Sequence, residues 1–323
     1  MLANLRAAAA ADGVPVKLVM GFVDAWLNKL LGLDTRKEVT LSLVALGYDS
    51  AIIEGAPADP EPLTLPTEPL SASEVDYPAI REMHAASALE SGNDVRVWLA
   101  SGGGSSAPAL HHSDIGGRVF PLASSAQEAL PSAPIEQVVL RRGSTRQFAR
   151  EPITFAELSN ALHHATRGIP GDFMGPQTGP LNDLYLIVNS VEGIPPGTYW
   201  FDRERSAVCL LKAGEFRREA GFLGLGQDIP ADASVNVYLL TDLERVLDQY
   251  GNRGYRVAQL EASIIGGNLY LAAYAQGLGA SGLTFFDDDV TEFFSPHAAG
   301  KSVMFLIALG RSVKKRPSAT ANS

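Results

Sequence analysis

The chain has 323 residues, 46% hydrophobic and 19% charged, enough for one large or two small domains with a sizeable core. A formal net charge of −10 argues against a nucleic-acid or anionic-membrane partner, since both need a basic face. Cys209 is the single cysteine, which excludes an intrachain disulfide and a multi-thiolate metal site and fits a reducing cytoplasm; no apolar run approaches the roughly 18 residues of a membrane span.

The first residues read as a helix. The Ala7–Ala11 run is too short and too weakly hydrophobic for a signal peptide, and Asp12 and Lys17 follow it. A partial internal repeat comes next: residues 21–47 align without a gap with residues 284–310, and six of the 27 positions are identical. These are Phe22/Phe285, Asp24/Asp287, Leu43/Leu306, Ala45/Ala308, Leu46/Leu309 and Gly47/Gly310. Each copy reads as an aspartate turn, a short helix and a buried strand ending in Ala-Leu-Gly, after an alanine-rich helix. Residues 1–50 are therefore expected to be the C-terminal part of a first repeat whose beginning lies outside this chain or has decayed.

Residues 51–134 are rich in linker signals: Ala56-Pro57-Ala58-Asp59-Pro60-Glu61-Pro62, Gly102–Ser106 and Pro131–Pro134. An extended connector with one helix around Tyr77–Leu89 is expected. Residues 135–323 read as an α+β domain. Thr154 with Glu157 forms a capping box that opens a helix. Asp183–Asn189 is a near-continuous apolar strand, Thr198–Phe201 and Ala207–Leu211 pair as a hairpin, and Val235–Leu240 is a further strand. Arg256–Gln276 is a long helix apolar on most faces, which must be covered on all sides. Val303–Leu309 is the last buried strand, and a basic polar tail follows.

The chemistry-bearing stretch is Arg141-Arg142-Gly143-Ser144-Thr145-Arg146-Gln147-Phe148, with three arginines and two hydroxyls within six residues. Guanidinium forks and hydroxyls suit the oxygens of a phosphate monoester; a solvated basic turn is the plainer alternative. Gly277-Leu278-Gly279-Ala280-Ser281-Gly282 has dinucleotide-fingerprint spacing but follows a helix instead of a strand. It reads as a helix C-cap and tight turn whose glycines allow a flat ring close to the backbone. The six histidines lack ligand spacing, and Asp287-Asp288-Asp289 suits a helix start better than a cation, so no metal is expected. Gln249 and Tyr250, with Arg253 and Arg256, precede the long helix and could handle a proton at a pocket mouth, or form an ordinary loop.

In this order the motifs resemble the flavin mononucleotide-dependent nitroreductase superfamily, and within it the SagB-type dehydrogenases that include azoline oxidases. Arg141–Phe148 looks like that family's Arg-Arg-x-Ser-x-Arg-x-Phe motif, and Val191-Glu192-Gly193-Ile194-Pro195-Pro196-Gly197-Thr198-Tyr199 like its hairpin entry. Tyr255–Ala273 followed by Gly277-Leu278-Gly279 is similar to its central helix and flavin-side turn. The resemblance implies a nitroreductase-like fold, a mainly antiparallel sheet flanked by helices around a long central helix. It implies flavin mononucleotide as cofactor, with Arg142, Ser144 and Arg146 on the phosphate, Arg141 and Arg311 as weaker contacts, and Gly282, Leu283 and Thr284 beside the ring. It implies catalytic roles for Tyr250 and Gln249, although azoline oxidases carry a titratable lysine where this chain has Gln249. The family's usual Pro-Ser-Ala-Gly-Gly loop is Pro176-Gln177-Thr178-Gly179-Pro180 here. A small-molecule or peptide substrate and a homodimer, or pairing with a second nitroreductase-like domain, are implied too. A non-catalytic scaffold subunit and an NAD(P)H-dependent nitro or quinone reductase are the alternatives.

Overall fold

The computed structural model describes residues 1–48, 59–68, 71–103, 117–123, 133–174 and 179–313. Ala56–Ala58, Gly104–Ser106, His111, His112, Pro131, Ser132, Pro176–Thr178 and the tail beyond Val313 lie outside the described residues. In chain order, α1 (Leu2–Ala11), β1 (Val16–Val19), α2 (Asp24–Leu30) and β2 (Leu43–Leu46) come first. Then follow α3 (Pro78–Ala86), α4 (Gly92–Gly103), β3 (Val119–Pro121), α5 (Ile135–Arg141), β4 (Ile153–Thr154) and α6 (Phe155–Ala165). The chain continues through β5 (Asn182–Val188), β6 (Val191–Glu192), β7 (Gly197–Asp202), β8 (Ala207–Ala213), α7 (Arg217–Leu223), α8 (Asp228–Asp232) and β9 (Val235–Thr241). It closes with α9 (Leu243–Tyr250), α10 (Arg253–Ala275), β10 (Gly279–Leu283), α11 (Asp287–Phe294) and β11 (Ser302–Gly310).

Seven strands form one sheet in the order β10-β11-β9-β5-β7-β8-β3, every pairing antiparallel. Side chains alternate across it as the pleat requires. Leu184, Leu186 and Val188 of β5 with Val235, Val237 and Leu239 of β9 face the cluster built on α10 and α6. Tyr185, Ile187, Tyr238 and Leu240 face the opposite cluster, with Phe216 and Leu223 beside α7 and Val290 and Phe294 of α11. Coverage on both faces explains why these strands read as continuous apolar runs. The capping box on α6 is formed: Thr154 Oγ1 accepts from Glu157 N and Glu157 accepts from Thr154 N.

The α10 helix, 23 residues long, packs against α6, β11, β10, α9, α1 and α5, which satisfies its all-round apolar surface. Glu261 on it is 3% exposed and accepts from Leu181 N, Asn182 N and Asn182 Nδ2, pinning the start of β5. Burial pushes its carboxyl upward, opposed by Arg203 and the donated hydrogen bonds. No helix among the described residues is long and apolar enough to cross a membrane.

The first elements follow the same order as the last ones: helix, strand, short helix, antiparallel partner strand. Asp24 and Asp287 each open the short helix of their unit. In the region expected to be a connector with one helix, the described residues form two helices and a strand. Its anchors are single side chains in polar surroundings, too sparse to give a periodic pattern. Trp98 of α4 donates to Tyr250 O at 2.9 Å, and Phe120 of β3 meets Tyr199 edge-on at 6.0 Å while β3 extends the main sheet beside β8. The glycine run is also corrected in part. Gly277 (φ +74°) does end the helix, but residues 279–283 are an edge strand and not a turn.

The N-terminal unit is fastened to α10 by buried charge. Arg253 Nη1 donates to Asp24 Oδ2 at 2.7 Å, Arg256 Nη1 to Asp24 Oδ1 at 2.7 Å, and Arg253 Nε to Met20 O at 2.7 Å. Asp24 and Arg253 are each 2% exposed. Arg256 also reaches His84 O and Ser87 Oγ, at the end of α3. Removing Arg253 leaves Asp24 only half compensated, by Arg256, and strips Met20 O of its buried donor. Arg253→Met is expected to cost about 3–5 kcal/mol, read from the urea unfolding midpoint at unchanged slope. A loss under about 1 kcal/mol, the level of an exposed pair, would show that this network adds little.

Candidate functional site

The Arg141–Arg146 stretch leaves α5 and is held by three neighbours. Arg142 caps the helix in extended conformation (φ −65°, ψ 142°). Thr145 N donates to Ala280 O of β10 at 2.8 Å, and Ala149 N to Arg311 O just past β11 at 2.8 Å. The third neighbour is a pair of tyrosines one turn apart on α10, so both lie on one face. Tyr274 O accepts from Arg141 Nη2 at 2.7 Å, and its hydroxyl lies 3.2 Å from Thr145 Oγ1. Tyr270 Oη lies 3.3 Å from Ser144 Oγ and accepts from Gly282 N at 2.5 Å. The Arg142 guanidinium sits 5.4 Å from the Tyr270 ring centroid.

Arg141, Arg142, Ser144 and Gly282 are thus gathered around Tyr270 and Tyr274, with Leu283 and Thr284 following directly on β10 and its exit. Ser144 and Arg146 are exposed, and no acidic residue occurs between Arg141 and Arg150. Arg142 is half-buried, and its Nε–H is buried without a hydrogen-bond partner. An unused guanidinium donor, a hydroxyl and a second, exposed guanidinium in one short loop fit a dianionic phosphate. A Cβ at Gly279 would collide with the Thr145 side chain, so glycine there allows the loop to lie flat on β10.

Arg311 is used differently from the expectation of a phosphate contact. Its Nη2 donates to both carboxylate oxygens of Glu157, at 2.8 and 2.9 Å, and so reinforces the α6 cap. Tyr250 is 1% exposed, its hydroxyl donates to Phe173 O at 3.0 Å, and its ring lies against Trp98. It precedes α10, whereas Tyr270 comes 17 residues after the helix's first residue, roughly 25 Å along the axis at about 1.5 Å per residue. The structure therefore does not bring Tyr250 and half-buried Gln249 to the basic loop. Tyr270 and Tyr274 were missed in the sequence. Their signal is a pair of hydroxyls at i and i+4 on the largely apolar second half of α10.

The sequence model described as the Nitroreductase family matches residues 139–311. The nitroreductase-like protein MJ1384 of Methanocaldococcus jannaschii is 28% identical over 186 residues, 56% of this chain and 92% of its own. A nitroreductase-like crystal structure from Anabaena variabilis superposes with a TM-score of 0.72 at 23% identity, over 97% of this chain and 63% of that one. The chain thus spans under two thirds of that protein. A similar structure from Ralstonia eutropha gives 0.51 at 20% identity, over 64% of this chain and 94% of its own. At these identities the two structures attest the fold: mixed helices and an antiparallel sheet.

Gly279→Ala is expected to destabilise by about 1–3 kcal/mol, the usual cost of overpacking. Most of that cost should disappear in a Thr145→Ala background, a coupling that a double-mutant cycle of unfolding midpoints measures. Simple additivity would mean that the loop does not lean on β10.

Proposed function

The chain belongs to the nitroreductase family, and from that premise we propose that it is an oxidoreductase whose flavin mononucleotide is held at the phosphate by Arg142, Ser144 and Arg146. The observation that carries this reading is the unpartnered, buried Nε–H of Arg142 in a loop that also exposes Ser144 and Arg146. Tyr270 and Tyr274 hold that loop in place. The cofactor when bound supplies an acceptor for two electrons. The backbone at Leu283 and Thr284 lies beside the ring in this reading, where amide donors favour a reduced, negatively charged ring. Arg311 supports the site indirectly, through Glu157 and the α6 cap. Pairing with a second nitroreductase-like domain, in another copy of the chain or another protein, completes the site.

The finer reading is a SagB-type dehydrogenase acting on a peptide-derived heterocycle such as an azoline. It is supported by the Arg-Arg-x-Ser-x-Arg loop and the Val191–Tyr199 hairpin. We assign no proton step to Tyr250, because its hydroxyl already donates to Phe173 O in a buried setting. That same burial favours a second reading, a nicotinamide-driven nitro or quinone reductase, in which no basic side chain has to take a proton from a peptide.

The purified protein is expected to show flavin absorption bands and to take up flavin mononucleotide. Arg142→Ala and Arg146→Ala should each weaken that uptake at least tenfold, about 1.4 kcal/mol, and Arg142→Lys should recover part of it, since lysine lacks the fork. A protein that binds no flavin under any condition overturns the proposal. With flavin bound, rapid anaerobic bleaching by NADH or NADPH alone selects the reductase reading. Bleaching by an azoline peptide selects the dehydrogenase.

A further inference from the structure

A concave site lies along α5 and α10, and none of its lining residues belongs to the Arg141–Arg146 stretch or to β10. It is a cleft of about 490 Å³ between α1, α5, α6 and α10, a size in the usual range for small-molecule pockets. Its floor is apolar: Val138 of α5, Leu271, Ala272 and Ala275 of α10, and Ala3 and Ala7 of α1. Its polar groups gather at the α6 end, and three of them are basic: Arg6, His164 and Arg167. Among the described residues that line it there is no Asp or Glu. The amides in the wall already have partners: Asn160 Nδ2 donates to Gln276 Oε1 at 3.3 Å and Asn268 Nδ2 to Ala165 O at 3.3 Å.

The basic groups are less well served. His164 Nε2 is buried and has no hydrogen-bond partner. Arg6 makes a long contact across the mouth to Gly168 O at 3.3 Å, and Arg167 Nη2 lies 3.4 Å from His163 Nε2, a neighbour that adds no negative charge. Burial lowers the proton affinity of both Arg6 and His164, and for His164 the Arg167 charge lowers it further. Two guanidinium groups at one apolar cleft without a carboxylate repel one another, and an anion relieves that repulsion.

We infer that this cleft binds a small amphipathic carboxylate, with its apolar body on the alanine and leucine floor and its carboxylate between His164 Nε2, Arg6 and Arg167. A guanidinium and an imidazole N–H both donate to carboxylate oxygens. The alanines of α1 and α10 leave room for a flat aromatic or a short aliphatic body. The site is separate from the loop that carries Ser144: the hydroxyls of Tyr270 and Tyr274 address that loop, while Leu271, Ala272 and Ala275 line the cleft.

The test is calorimetric titration of the intact chain with 2-naphthoate and, in parallel, with uncharged 2-naphthamide. One equivalent of naphthoate should bind, at least about tenfold tighter than the amide. The Arg6→Gln/Arg167→Gln double variant should remove that preference, and His164→Leu should weaken naphthoate alone. Ala272→Phe, which fills the cleft, should abolish binding of both, with thermal unfolding confirming that each variant is folded. Saturating flavin mononucleotide should leave the naphthoate affinity unchanged, whether or not the basic loop is the flavin site. Equal affinity for acid and amide, or variants that bind naphthoate like the parent chain, would falsify the assignment; so would displacement of naphthoate by flavin mononucleotide.

Discussion

The fold rests on one constraint: a 23-residue helix, α10, that carries apolar side chains on nearly every face and so must be wrapped completely. The wrapping uses α6, the sheet, α1 and α5, and each of these must arrive at a defined place along the helix. Polar groups on α10 sit where they address a specific partner. At its start, Arg253 and Arg256 take hold of Asp24 and the end of α3; midway, Glu261 takes hold of β5; near its end, Tyr270 and Tyr274 take hold of the basic loop. The helix thus works as a spine. Apolar contact gives the binding energy, and a few hydrogen-bonding residues set which segment docks at which height. Such polar contacts contribute modestly to net stability but are costly to leave unmade, and that asymmetry is what makes them selective.

Much of this arrangement could be read from residue patterns. The Thr154/Glu157 box, the β5 and β9 runs, the β7–β8 hairpin and the central helix all have local signals that agree with their final environment, and each was legible to within a few residues. The segment between β2 and α5 was less legible. Trp98 and Phe120 are isolated apolar residues there, and their partners, Tyr250 and Tyr199, stand far away in sequence. No period can announce a contact made by one side chain at long range.

Site residues divide in the same way. Arg142 and Ser144 share a loop, so their chemistry shows in the chain as a cluster. The resemblance also implied Arg311 as a weaker phosphate contact, because a motif position does not say which anion a guanidinium meets. In the fold the nearer anion is Glu157, already fixed by its cap. Tyr250 stood out as a hydroxyl before a helix, and only the folded chain reveals that α4 lies across it. Tyr270 drew no notice because one tyrosine on an apolar helix is unremarkable until Ser144 and Gly282 arrive beside it.

The Tyr270 hydroxyl also determines which donors the site keeps in reserve. Its oxygen accepts the Gly282 N–H on one side and meets the Ser144 hydroxyl on the other. That backbone amide is therefore already spoken for, and an incoming acceptor has to compete with a phenol held in place by a rigid helix. The neighbouring loop oxygen and the strand end meet the same atom, the first at 3.3 Å and the second at 2.5 Å. The side chain acts as a gauge block: it holds constant the separation between the hydroxyl of the basic loop and the end of β10. Any molecule that touches both must match a separation set by two contacts to one phenol oxygen.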